Sequence, residues 1–247
     1  MPTDADDTVY SDRYVAFIDI LGFSGIVRQS EGSSGRAKEL VGILENIPTL
    51  ANEFADDFER DDFRAQSFSD CIVMSENSSP KGLFSLLASA TTLTFYLLSK
   101  GIFTRGGIAK GKLHHSDKIV FGPAMLDAYR LESTIARYPR VLVDKATHLD
   151  YRHPSFAAVC EPYERSPKIR FDTDGPPFLD TLLFCRTVPS DFADEIAGCR
   201  AALQQALDNS VYDPGHYEKL RWLTIYWNGI ALDAGGSLVD FPQMKEL

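Results

Sequence analysis

None of the four cysteines, Cys71, Cys160, Cys185 and Cys199, belongs to a CxxC pair. That absence excludes a zinc framework. Three of the four sit in apolar runs, the setting of reduced buried thiols in a cytoplasm rather than of a disulfide scaffold. No apolar run is read as reaching the length of a membrane span. The acidic start, MPTDADDTVYSDR, lacks the basic beginning and apolar core of a secretory signal. Basic residues are few: 25 Lys and Arg against 35 Asp and Glu leave a net charge of −10. Such a balance excludes a general nucleic-acid binder but leaves room for a local basic pocket. There is no GxxxxGK[ST] phosphate loop. Gly106-Gly107-Ile108-Ala109-Lys110-Gly111 has the wrong glycine order, and no following helix, for a dinucleotide fingerprint. No repeat or low-complexity tract is visible. The expectation is a soluble, cytoplasmic protein without nucleic-acid or membrane partners.

Against these absences stands one stretch, Tyr14 to Gly25, YVAFIDILGFSG. Its first half is continuously apolar apart from Asp19, the pattern of a strand buried on both faces. A bare carboxylate there is costly unless paired. A divalent cation would pair it, and so would backbone amides at a strand end. Gly22 permits a tight turn, Ser24 is placed to cap a following helix, and free amides at a helix start bind phosphate.

The 247 residues suffice for one large domain or two small ones. Residues 1–12 read as a flexible acidic tail. A polar loop, 30–35, follows the first helix. Residues 37–58 have helical apolar spacing, with Pro48 expected to kink or break the helix. Asp56, Asp57, Glu59, Asp61 and Asp62 read as a solvated helix end and turn. Residues 64–75, RAQSFSDCIVMS, read as a hairpin with Asp70 at its tip. Residues 81–100 form a strongly apolar helix. The glycine-rich 103–113 segment is a strand approached closely by other backbone. Pro123 opens a helix over 124–135 carrying Asp127, Arg130 and Glu132, and 140–144 is a short buried strand. His114 and His115 are expected to face solvent. In the last third, 156–160, 169–171 and 178–186 read as strands, and 191–209 and 216–233 as helices, the second with an aromatic set assigned to core or interface. The domain reading is a core over 13–150, which the resemblance described next makes the catalytic one, with 151–247 the C-terminal part of the same domain. The element order gives an α/β (α+β) sandwich with a mixed sheet and helices on a face, not a doubly wound parallel sheet.

Three segments, in order, resemble the class III nucleotidyl cyclases. FIDILGFSG (17–25) is similar to that family's first-metal motif and FSDCIVMS (68–75) to its second-metal hairpin. RGGIAKGKL (105–113) with FGPAMLDAYRLES (121–133) is similar to its last core strand and following helix. The wording is nearest to the pyrimidine cyclases of bacterial anti-phage signalling, the Pycsar systems. The fold implied is a class III cyclase-like mixed or antiparallel sheet with helices packed on it.

The resemblance implies a uridylate cyclase, with a cytidylate cyclase or a degenerate nucleotide-binding sensor as alternatives. It implies two Mn²⁺ or Mg²⁺ ions per site, ligated by Asp19, Asp70 and the Ile20 carbonyl. Leu21, Gly22, Phe23 and Ser24 would cradle the phosphates, and Arg130 would stabilise charge on the α-phosphate. It also implies a homodimer with shared sites, acting on UTP or CTP. Two positions depart from the purine enzymes. The Asn one helical turn before the Arg is Leu126. The adenine-reading Lys and Asp fall at Gln66 and about Ile119. Gln66, with a donor and an acceptor, and Arg105 are the base-reading candidates. By residue chemistry alone, Arg105 equally reads as a strand-end ion pair and Arg130 as a surface partner of Asp127.

Overall fold

In the computed structural model, which describes residues 9–53, 60 and 62–242, the chain begins with β1 (Ser11–Ile20), α1 (Phe23–Glu31) and α2 (Ser34–Glu53). It continues through β2 (Arg64–Phe68), β3 (Cys71–Asn77), α3 (Pro80–Ser99), β4 (Thr104–His115) and β5 (Val120–Phe121). Next come α4 (Pro123–Arg130), a π-helical turn (Leu131–Ile135), β6 (Val141–Val143), α5 (Lys145–Tyr151) and α6 (Pro154–Cys160). Then follow β7 (Ile169–Arg170), β8 (Phe178–Leu179), α7 (Leu183–Thr187), α8 (Ala193–Asn209) and α9 (Pro214–Ala234).

The strands form one eight-stranded sheet in the order β2-β3-β1-β4-β6-β8-β7, with β5 paired to β4. Among the described residues only the β4–β6 pairing is parallel. This is an open mixed sheet with helices on it, as the element order implies. The apolar run is central because β1 pairs along its length with both β3 and β4.

Alternation along β1 serves two layers. Tyr14, Ala16, Ile18 and Ile20 join the main core with Leu83, Leu86, Leu87, Ala90 and Leu93 of α3. Val15 and Phe17 face the other way, against Ala124 and Ala128 of α4. Gly107 lies opposite Phe17 across the β1–β4 pair. A Cβ there would sit 2.3 Å from the Ala128 carbonyl oxygen, so only glycine admits α4 this close. Asp19 is the next residue on the α4 face.

α3 starts where Ser79 accepts a hydrogen bond from the Gly82 amide at 2.9 Å, with Pro80 in its first turn. Each fully buried leucine on it contributes roughly 1.5–3 kcal/mol. By length and composition this helix reaches membrane-span dimensions, which the sequence reading missed, but 83% of its most apolar window is buried inside the fold. The C-terminal part extends the same sheet through β8 and β7. Phe156 and Leu179 enter the main core. α8 and α9 form a second cluster, in which Cys199, Leu203, Leu207 and Trp227 close over Phe95 and Leu98 of α3.

Several sequence expectations change. α2 runs through Pro48, because Ile43, Leu44, Ile47 and Leu50 pack on the main core on both sides of it and that packing outweighs the local break. Residues 156–160 are helix, not strand: His153 caps, Pro154 opens the first turn, and Phe156, Val159 and Cys160 meet the core at helical spacing. The run 178–186 is a two-residue strand followed by α7, divided by the fully buried Asp180, which pairs with Arg170, Arg186 and Tyr226. Ser11 and Asp12 belong to β1 and not to a tail, while residues 1–8 lie outside the described residues. So do Asp56, Asp57, Glu59 and Asp61; Asp62 is ion-paired with Arg13 and Arg64 rather than merely solvated.

His115 is buried, not solvent-facing. Its Nδ1 shares a 2.7 Å hydrogen bond with Ser75 Oγ, which also accepts from Arg13 Nε at 3.0 Å. Burial, with Arg13 and Arg64 nearby, pushes its pKa down to about 4. The folded state therefore holds His115 neutral, and unfolding lets it take up a proton below its ordinary value. Its contribution to stability is complete above about pH 6.5 and is lost as pH falls from there to about 4, by on the order of 3 kcal/mol. Urea unfolding across that range should show a shallower pH dependence for His115→Gln than for wild type. Equal slopes would contradict this account.

Candidate active site

Strand register sets the first three residues. Asp19 of β1 lies opposite Cys71 of β3 on one side and Arg105 of β4 on the other. The three form a row across the sheet, on the α4 face and at the end of the strands. Asp70 joins them from the β2–β3 turn, where Ser69 takes a left-handed conformation, φ 57°. The Ile20 amide donates to the Asp70 carbonyl at 3.0 Å and the Leu21 amide to the Phe103 carbonyl at 2.8 Å. These bonds fix the hairpin tip beside β1. Ligand atoms of Asp19, Asp70 and Cys71 all lie within 4.8 Å of one another. Two carboxylates so close are a hard-oxygen donor set of the kind Mg²⁺ or Mn²⁺ takes.

The electrostatics are crowded. Burial raises the Asp19 pKa, Arg105 opposes the shift, and Asp70 adds to it. The Cys71 thiol is pushed up to about 11 by burial and then by Asp70, Asp19 and Glu132. Arg105 Nε stands 2.6 Å from Glu132 Oε1 and 3.6 Å from Asp19 Oδ2. Glu132 has a side-chain exposure of only 3%. Burial raises its pKa, against Arg105. Its inward position follows the helical spacing that Leu131 and Glu132 keep from Ala124 and Ala128, whose face packs on the sheet.

The phosphate candidates sit at the turn after β1. Gly22, at φ 72°, is the residue before α1, and Gly25 and Ile26 donate to its carbonyl. Ser24 is inside the helix and exposed, and caps nothing. The amides of Gly22, Phe23 and Ser24 have no acceptor among the described residues. Phe23 packs on the main core and fixes the turn. Leu21 and Gly22 also border a groove of about 860 Å³ whose lining includes Lys100 and His216. They border an adjoining recess of about 130 Å³ that includes Lys219.

The remaining candidates are farther apart in role. Gln66 Nε2 donates to the Ser116 carbonyl at 2.6 Å. Arg130 ends α4, is exposed, and has no ion pair among the described residues, with Asp127 or otherwise. Leu126 and Tyr129 are exposed on the same helix, at 69% and 51%. Sequence reasoning gave no role to Glu132, His216 or Lys219. Pairing the two glycine-flanked strands in register would have set Arg105 against Asp19. The spacing of Glu132 from Ala124 and Ala128 would have placed it on the inward face of the helix.

Neither a protein-family model nor a curated protein matches this chain. Among solved structures it is similar to a class III adenylyl cyclase-like ATP-binding protein from Pseudomonas aeruginosa. The identity is 13% and the TM-score 0.41, over 57% of this chain and 35% of that one. It is also similar to a bacterial light-regulated adenylyl cyclase at 13% identity and TM-score 0.43, over 58% of this chain and 46% of that one. The chain thus spans less than half the length of either structure. Likenesses this loose do not assign a family.

Proposed function

We propose that this chain is a metal-dependent nucleotidyl cyclase. It would convert UTP, with CTP second, into a 3′,5′-cyclic monophosphate and pyrophosphate, as a signal in bacterial anti-phage defence. The observation that carries the reading is the convergence of Asp19 and Asp70, with ligand atoms within 4.8 Å, beside a helix start whose first amides have no acceptor among the described residues. Pyrimidine preference and the defence role rest on the sequence resemblance alone.

The donor set fits a divalent cation: two carboxylates at the mouth of the strand row, with Asp70 held by the Ile20 amide. Asp19, Asp70 and the Ile20 carbonyl would hold two Mn²⁺ or Mg²⁺ ions. Bound there, such ions lower the pKa of the ribose 3′-hydroxyl and neutralise the triphosphate. The amides of Gly22, Phe23 and Ser24 would receive phosphate oxygens at the α1 start. The ribose 3′-oxygen bonds to the α-phosphorus, the bond from that phosphorus to the β-bridging oxygen breaks, and pyrophosphate leaves. The hydroxyl proton passes to water. Arg130, exposed and without an ion pair among the described residues, would come from the partner subunit of a homodimer to stabilise charge on the α-phosphate.

A second reading, nucleotide binding without turnover, is favoured by Leu126 where the purine enzymes carry Asn and by the engagement of Asp19 with Arg105. Rates with each of four nucleoside triphosphates and Mn²⁺ separate the readings. UTP is expected to turn over fastest, CTP next and ATP poorly, since unmatched polar groups of a base edge stay unpaired. Faster turnover of ATP than of either pyrimidine nucleotide would overturn the specificity. Tight binding without turnover would favour the sensor.

A further inference from the structure

Three acids and one cation are packed where the proposed function needs a metal. Arg105 is placed by strand register directly beside Asp19, so its charge competes with any cation for that carboxylate. It is not centred on Asp19, however: its Nε is 2.6 Å from Glu132 and 3.6 Å from Asp19. Glu132 is buried to 3% side-chain exposure, and its oxygen facing Arg105 has no hydrogen-bond partner among the described residues, so the close ion pair with Arg105 is what balances it. A buried carboxylate is retained at considerable cost, and removing the cation beside it is costlier still. Glu132 lies on the inward helix face two residues after Arg130, the residue proposed for the α-phosphate.

We infer that Glu132 is a positioning residue for the metal site: it holds the Arg105 guanidinium off Asp19 and so leaves that carboxylate available to a divalent cation. The inference rests on the metal reading given above. Without the negative charge of Glu132, Arg105 has Asp19 as its nearest acid and neutralises it. With Arg105 removed as well, the local net charge returns to that of wild type and no buried acid is orphaned. Glu132 is thus needed only while Arg105 is present, which separates it from a direct ligand.

The test is Mn²⁺ binding, read from the loss of the free-ion electron paramagnetic resonance signal, without nucleotide or turnover. Glu132→Gln should weaken binding at least about tenfold, a lower bound for one unit charge a few ångströms away at protein-surface dielectric. The double variant Glu132→Gln/Arg105→Ala should bind within about threefold of wild type, or more tightly. An unchanged affinity in Glu132→Gln, or a double variant as weak as Glu132→Gln, would overturn the inference; the latter would make Glu132 itself a ligand. Asp19→Asn is the control for the metal reading. If it binds Mn²⁺ as tightly as wild type, or wild type shows no saturable binding, that reading fails and this inference falls with it.

Discussion

Replacing Asp19 or Asp70 by alanine is expected to lower cyclase turnover by at least roughly a hundredfold while leaving the fold intact. The loss follows from the donor set: with ligand atoms within 4.8 Å of each other, each acid is half of the carboxylate pair that would hold the cations. The fold should survive for particular reasons. Arg105 loses Asp19 but keeps Glu132 at 2.6 Å. Asp70 fastens the hairpin tip through its backbone carbonyl, which alanine retains. Removing a half-buried charge also removes its desolvation cost. Turnover and thermal unfolding of each variant check this together. Near-normal turnover in either would contradict the two-acid site.

Mixing two inactive variants should restore activity. If one site takes Asp19 and Asp70 from one subunit and Arg130 from the other, Asp19→Ala and Arg130→Ala complement each other. In a mixed dimer one site collects both defects and the other none. Random pairing of equal amounts makes roughly a quarter of all sites wild type. The position of Arg130 motivates the experiment: it ends α4 exposed and without an ion pair among the described residues. Leu126 and Tyr129 stand exposed on the same helix, as expected of a face that a second copy covers. If Arg130 serves its own chain, every site keeps a defect and mixing restores nothing. If it has only a surface role, Arg130→Ala is nearly active before mixing. Native mass spectrometry should confirm that mixed dimers form. No recovery in their presence would rule out the shared site.

The central sheet was legible because its signals are strong and local. A continuous apolar run marked β1, a Ser-Asp turn marked the β2–β3 hairpin, and glycines marked the strand that α4 approaches most closely. Asp19 was legible because it interrupts an apolar run and Asp70 because it sits at a Ser-Asp turn, but only the family resemblance made them a pair. The last third was not, because short apolar runs read alike as buried strand or helix. FAAVC became helix through His153 and Pro154 in front of it. FLDTLLFCR was split by Asp180, whose partners Arg170 and Tyr226 lie far along the chain. His115 misled because a histidine pair near a turn looks solvated, and only Ser75 and Arg13 across the sheet account for its burial. Glu132 escaped because an acid among the apolar residues of a helix face carries no role by itself, and its partner Arg105 is on another element.

The central claim, intramolecular phosphoryl transfer at the Asp19–Asp70 site, is tested most directly by identifying the products. Purified protein with Mn²⁺ and UTP should release pyrophosphate and 3′,5′-cyclic UMP in equal amounts, read by phosphorus NMR and by mass. Orthophosphate with UDP, or no cyclic product from any of the four nucleoside triphosphates, would contradict it.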